Sequence, residues 1–373
     1  MARMDERFTG VRDMFDKHLE SGADVGASFS VTIGDETVVD LWGGYADAER
    51  TRPWTADTIV NTYSVTKSVT SLTALLVADR GDLDVHAPVA RYWPEFAAAG
   101  KADVTVAQLM SHSSGLSGWR EPLATEDLFD WEKCTSLLAA QEPFWKPGTA
   151  SGYHAVTFGY LVGEVVRRVT GRSLGTVFRE EIAEPLAADF HIGLPAAEDH
   201  RVAELIIADD SPGDFFTASE IQRNAAVNPP FPVSVTRTRA YRAAEIPAGN
   251  GHGNAHAVAK IHAILANGGT FGGRRYLSEA GCRKALEVQV DGTDLVLGMP
   301  MRFGIGFAVS GQGGMLPHPN TLYWGGRGGA FAVADLDTRT AMAYTMNRMS
   351  MLGETDLRGF GLSMAAWEST GDL

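Results

Sequence analysis

Two stretches of period-two alternation, one near each end of the chain, most narrow what this sequence can fold into. Val25, Ala27, Phe29, Val31 and Ile33 fall on one side of an extended segment, with Ser28, Ser30 and Thr32 on the other. Gly34-Asp35-Glu36 supplies a turn and residues 37–42 return as a second strand, which makes a hairpin. The C-terminal third reads as strands over residues 304–309, 322–327, 330–335 and 340–347, the last two joined tightly by Asp337-Thr338-Arg339. Between these ends the period changes. Helical patterns near residues 65–80, 105–111, 128–141, 156–170 and 173–184 alternate with polar or Pro/Gly breaks such as Gly81-Asp82 and Lys146-Pro147-Gly148. Phe8, Val11, Phe15 and Leu19 give an N-terminal helix with one buried face, Asn254 to Asn267 is helical again, and an amphipathic helix covers Asp356 to Glu368. Strands at both ends with helices between predict an α/β (α+β) chain with one antiparallel sheet, flanked by the terminal helices and carrying a mostly helical insertion. The division this implies is a discontinuous α/β domain of residues 1–70 and 255–373, and a helical domain with long loops over 71–254. Residues 208–250 show little periodicity and contain Asn228-Pro229-Pro230-Phe231-Pro232. A loop of that length in a compact domain marks either a functional segment or short elements that periodicity misses.

Composition excludes several classes of function. Lys and Arg number 32 and Asp and Glu 46, so the net charge is 32 − 46 = −14, and an acidic surface repels phosphate backbones. No nucleic-acid partner is expected. The longest apolar run, Leu72 to Ala78, is far too short to span a bilayer, so no membrane partner is expected either. The first twenty residues carry charges throughout, among them Arg3, Asp5, Arg7, Arg12 and Lys17, and show no apolar core of a secretory signal. With only two cysteines, Cys134 and Cys282, the chain reads as a soluble cytoplasmic protein with free thiols. Its oligomeric state is not legible.

The sharpest chemical signal is Tyr63-Ser64-Val65-Thr66-Lys67, which opens the helix expected to run to Arg80. Ser64 and Lys67 are three apart, so one helical turn places them on the same face. A serine hydroxyl is a poor nucleophile until a base removes its proton, and a lysine becomes such a base when burial disfavours its ammonium form. The chain has seven lysines, and this one is followed by Val69, Leu72, Ala74, Leu75 and Leu76, as expected for a buried site. The bland alternative is a helix capped by Thr62 or Ser64, with its first-turn lysine reaching to water.

The pattern resembles that of the superfamily of serine β-lactamases, penicillin-binding proteins and family VIII carboxylesterases, which uses Ser-x-x-Lys as nucleophile and base. Further segments carry the resemblance over most of the chain: Leu109-Met110-Ser111-His112-Ser113-Ser114-Gly115-Leu116, Pro147-Gly148-Thr149-Ala150-Ser151-Gly152-Tyr153-His154, Leu161 to Val166, Thr170-Gly171-Arg172-Ser173-Leu174, and Trp324-Gly325-Gly326. The resemblance implies a β-lactamase/transpeptidase-like fold and an acyl-enzyme mechanism without metal or organic cofactor. It implies that Tyr153 is the third catalytic group, relaying a proton between the serine and the leaving group. It implies an oxyanion hole made by the backbone amides of Ser64 and Arg327, and substrate contacts at Trp324, Gly325 and Gly326. Two departures set the chain apart from β-lactamases. Ala155 stands where those enzymes carry an Asn, and Trp324 stands where they carry the Lys or His that meets a substrate carboxylate. The Trp-Gly-Gly form is similar to that of family VIII carboxylesterases.

The expected function is therefore a serine hydrolase that cleaves small-molecule carboxylic esters with apolar acyl or alcohol groups. Lys67, alone or with Tyr153, takes the Ser64 proton. The alternatives are acyl transfer to an alcohol or amine, amide or β-lactam hydrolysis at the same site, or a catalytically idle binding protein. Two motifs are read as decoys. Gly171-Arg172-Ser173-Leu174-Gly175 matches a nucleophile elbow but follows a helix rather than a strand, so Ser173 is expected to cap a helix. His252 and His256 are four apart but lack a third ligand, so no metal site is expected there.

Overall fold

The N-terminal hairpin forms from Gly26–Ile33 and Glu36–Gly44, with a register irregularity at Val31/Thr32. The structure is a computed structural model and describes residues 3–210, 218–351 and 356–372. Thr340–Met346 lies antiparallel against Gly26–Ile33 over its whole length, from Thr340 opposite Ile33 to Met346 opposite Ala27. The two chain ends thus share the centre of one sheet. From one edge to the other its nine strands are Arg3–Met4, Glu36–Gly44, Gly26–Ile33, Thr340–Met346, Phe331–Asp335, Thr321–Gly325, Ala308–Val309, Pro300–Phe303 and Val290–Thr293. The strand expected over 304–309 is divided: Gly304–Phe307 is a turn, in which the Gly304 amide donates to the Phe307 carbonyl and Gly306 takes φ +89°. Val290–Thr293, an exposed edge strand rich in polar residues, has no apolar alternation and was not foreseen.

Both faces of the sheet are covered, which the alternation alone did not predict. Phe29 and Tyr344 are cross-strand partners, and Gly359 of the last helix, Arg358–Thr370, packs against Tyr344 and Phe331. That helix and Thr9–Glu20 pack together over this face. On the opposite face Ser28 Oγ bonds Thr345 Oγ1 at 2.8 Å and accepts from the Ala255 amide, where the helix Ala255–Ala266 begins. Ser28, Ser30 and Thr32 are therefore buried, not solvated. Small side chains on the strand and an alanine-rich helix let the two backbones approach closely. Ser30 Oγ meets its hydrogen-bonding need at the Val39 carbonyl.

The expected helices appear at Val65–Asp79, Val106–Met110, Trp131–Ala140 and Thr157–Thr170. The one expected over 173–184 is a succession, Leu174–Phe178, a π-helical turn at Arg179–Ala183, and Glu184–Leu186. Every residue from Val65 to Ala78 is buried, and this helix packs on Thr157–Thr170, Leu174–Phe178 and the strand Thr321–Gly325. The division expected at residue 70 falls inside it, so the helix joins the sheet to the helical insertion. The segment 208–250 holds short helices at Glu220–Val227 and Arg239–Ala243 with a 3-10 turn at Val233–Arg237, each too brief to show a period; its residues 211–217 lie outside the described residues. Among the described residues, no helix is long and apolar enough to cross a membrane.

Candidate active site

Ser64 sits just before the first turn of the buried helix Val65–Asp79, and its hydroxyl makes no capping bond. The capping alternative is thereby removed. The helix start is instead held by main chain: Val65, Thr66 and Lys67 donate to the carbonyls of Thr62, Tyr63 and Ser64. Tyr63 adopts φ +44°, a conformation a bulky side chain takes only when its surroundings enforce it. Its amide donates to Asn61 Oδ1 at 2.9 Å, and its ring packs edge-on against Phe231. Gly251 accepts from the Thr62 amide and donates to Thr66 Oγ1, which fastens a strand of the insertion along the helix start.

Lys67 Nζ lies 3.0 Å from Ser64 Oγ, 2.7 Å from the Ala155 carbonyl and 2.8 Å from the Ala248 carbonyl. The side chain is 2 % exposed, and burial pushes its pKa well below the ordinary 10.5. Among the described residues no carboxylate offsets that cost. A neutral amine has two N–H bonds and one lone pair. The two carbonyls take both N–H bonds, which leaves the lone pair directed at the serine hydroxyl. On the other side Tyr153 Oη donates to Ser64 Oγ at 2.5 Å, and Lys67 Nζ is 4.7 Å from the Tyr153 ring centroid. Burial pushes the Tyr153 phenol above its ordinary 10, so the same desolvation favours a neutral phenol and a neutral amine. The three residues expected to carry chemistry are thus brought into one cluster.

Trp324 is the penultimate residue of the strand Thr321–Gly325, its ring centroid 5.2 Å from that of Tyr153 and 5.5 Å from that of Phe303. Its indole N–H is buried without a hydrogen-bond partner among the described residues. A Cβ on Gly326 would lie 2.2 Å from the Thr62 carbonyl oxygen, whereas one on Gly325 would meet only the Ala330 carbonyl at 3.7 Å. Gly326 is therefore the residue that lets this strand end reach the nucleophile's turn. The amides of Ser64 and Arg327 make no hydrogen bond among the described residues, so both are free to donate. The Arg327 guanidinium is engaged elsewhere: it pairs with Asp210, donates to the Phe231 carbonyl at 3.0 Å and lies over the Tyr63 ring.

The Ser173 decoy resolves as its context predicts. Ser173 caps Leu174–Phe178, accepting from the Thr176 amide, and donates to Glu245. His252 is buried in a short strand with Nδ1 on the Asn250 carbonyl, while His256 stands by Asp40. Among the described residues, no three His, Cys, Asp or Glu side chains gather as a metal site. Cys134 and Cys282 are buried free thiols whose pKa values burial pushes up to about 12. Sequence reasoning missed the carbonyls of Ala155 and Ala248, since a main-chain acceptor leaves no mark in side-chain identity.

A buried helix that opens at Ser64 against the end of an antiparallel sheet, with Ser, Lys and Tyr in contact, fits a serine hydrolase of the β-lactamase-like type, which the comparisons with known proteins show this chain to be. Residues 11–359 match the Beta-lactamase family, and the chain belongs to that family. It is 46% identical to a protein whose crystal structure is described as that of a family VIII carboxylesterase, with a TM-score of 0.93 over 99% of both chains. A penicillin-binding protein homolog from Caulobacter crescentus is 38% identical, with a TM-score of 0.92 and 99% of each chain covered. The Esterase/beta-lactamase LipL of Mycobacterium tuberculosis is 37% identical over 351 residues, covering 90% of this chain and 80% of that protein.

Proposed function

We propose that the protein is a serine carboxylesterase that cleaves esters of small apolar acyl or alcohol groups through an acyl-enzyme on Ser64. The observation that carries this reading is the contact of Ser64 Oγ with a buried amine at 3.0 Å and a buried phenol at 2.5 Å. Lys67 takes the Ser64 proton as Oγ bonds to the ester carbonyl carbon. The free amides of Ser64 and Arg327 hold the oxyanion. When the carbon–oxygen bond to the alcohol breaks, Tyr153 gives its proton to the leaving oxygen, and the Lys67 ammonium returns a proton to Tyr153. Water then repeats the sequence: its proton passes to the Lys67–Tyr153 pair, its oxygen attacks the acyl carbon, and Ser64 leaves with a proton. Trp324, Gly325 and Gly326 form the substrate wall, apolar on the indole side and open at Gly325. Two buried free cysteines support a reducing, cytoplasmic setting.

The printed name of LipL joins esterase to β-lactamase, and the residues at two positions here favour the ester. Ala155 offers only its carbonyl, already used by Lys67, and Trp324 offers no charge for a substrate carboxylate. Turnover of p-nitrophenyl butyrate and of nitrocefin by the same preparation tests this. The ester is expected to exceed the lactam in kcat/KM by about a hundredfold, the modest extent to which a site without polar partners rejects a more polar substrate. Equal values would overturn the ester reading. An added amine that yields acyl-amine faster than acid would turn the assignment to acyl transfer.

A further inference from the structure

We propose that His112 and Asp294 act as a two-residue clamp that positions Tyr153, by taking the three successive backbone amides of residues 152, 153 and 154. This inference rests on the proton-transfer role given to Tyr153 above. Residues 150–154 have no regular secondary structure, so no ladder fixes the backbone that carries the phenol. Instead the Gly152 amide donates to the His112 carbonyl at 2.9 Å, the Tyr153 amide to Asp294 Oδ1 at 3.0 Å, and the His154 amide to His112 Nδ1 at 3.1 Å. His112 follows the short helix Val106–Met110 and takes φ +59°, which turns both its carbonyl and its ring toward this loop. Its ring also packs on the Tyr153 ring at 5.0 Å and stacks on Trp324 at 6.0 Å. Asp294 Oδ1 takes the amides of Val296 and Leu297 as well, so the carboxylate is fixed by its own turn before it fixes Tyr153.

The clamp has an electrostatic consequence that a purely structural one would lack. The titratable groups facing the phenol are Lys67, His112, His154 and Asp294. Burial pushes the pKa of Lys67 and of His112 well below their ordinary values and that of His154 down to about 4, so in each it favours the neutral form. Asp294 is fully buried, with Oδ2 unpartnered among the described residues. Its carboxylate adds to burial in disfavouring the phenolate and keeps Tyr153 a proton donor.

The test compares Asp294→Ala, Asp294→Asn and Tyr153→Phe, alone and combined, with p-nitrophenyl butyrate as substrate. Asp294→Ala is expected to lower kcat by about 10–100-fold with little change in KM. Asp294→Asn keeps an amide acceptor and is expected to recover most of that loss in kcat, again with little change in KM. In a Tyr153→Phe background, Asp294→Ala is expected to cost less than about twofold more. If Asp294→Ala does not fold, His112→Asn, which tolerates the left-handed backbone but lacks the ring acceptor, is expected to show the same loss and the same cancellation. Losses of equal size in both backgrounds, or no recovery in Asp294→Asn, would overturn the clamp alone. A Tyr153→Phe enzyme at the wild-type rate would overturn the role of Tyr153, and the clamp with it.

Discussion

Ser64→Ala is expected to lower kcat for p-nitrophenyl butyrate by about 10⁴-fold or more, measured against an otherwise identical preparation with an unchanged melting temperature. The magnitude follows from what the residue does. Without Oγ there is no acyl-enzyme, and Lys67, Tyr153 and the two amides are left to assist water directly. In serine hydrolases the loss of the nucleophile removes nearly all that the catalytic set contributes together, on the order of 10⁶-fold, while binding and the oxyanion site retain a small residue of activity. The substitution itself is mild for folding. Ser64 Oγ caps no helix amide, and its contacts are with Lys67 and Tyr153.

Lys67→Met is expected to lower kcat by about 10²–10⁴-fold, the range a positioned base contributes. The wild-type pH profile should identify the same group. A base works only when deprotonated, so activity is lost as pH falls through the pKa of Lys67 in the folded protein. Burial has moved that value well below 10.5, so the plateau is reached far to the acid side of an ordinary lysine. The alkaline limb belongs to Tyr153, which must keep its proton and whose pKa burial has moved above 10. The expected profile is a broad plateau that includes neutral pH. Lys67→Arg gives the sharper contrast, because a guanidinium stays charged across this range and cannot accept the proton. An enzyme with Lys67→Arg that kept the wild-type rate would show that the base lies elsewhere.

How far the sequence reached depended on distance along the chain. Ser64 and Lys67 are one helical turn apart, so their meeting was legible from spacing alone. Tyr153 joins them across 89 residues, and only its likeness to a family motif singled it out. Lys67 also needs the carbonyl of Ala248, 181 residues away, and no side-chain pattern announces a main-chain oxygen. His112 stood inside a quoted motif, yet its part depends on a left-handed backbone that the motif does not spell out. Asp294 lies in Val-Asp-Gly-Thr-Asp, an acidic stretch that reads as solvent-exposed turn, and it is completely buried. The sheet shows the same rule. The hairpin and the last two strands were plain because their apolar residues alternate, and the polar edge strand Val290–Thr293 was not. Alternation placed the serines facing Ala255–Ala266 on the other side of the strand, but polarity marks exposure only when nothing covers that face.

The central claim, that an ester passes its acyl group to Ser64, is tested most directly by the mass of the intact protein quenched in acid during turnover of a small ester panel. A species heavier than the free protein by the acyl group less one hydrogen is expected, with the added mass on the peptide that contains Ser64, and it should be absent from Ser64→Ala. Full turnover with no adduct in Ser64→Ala, or an adduct on any other residue, would contradict the account.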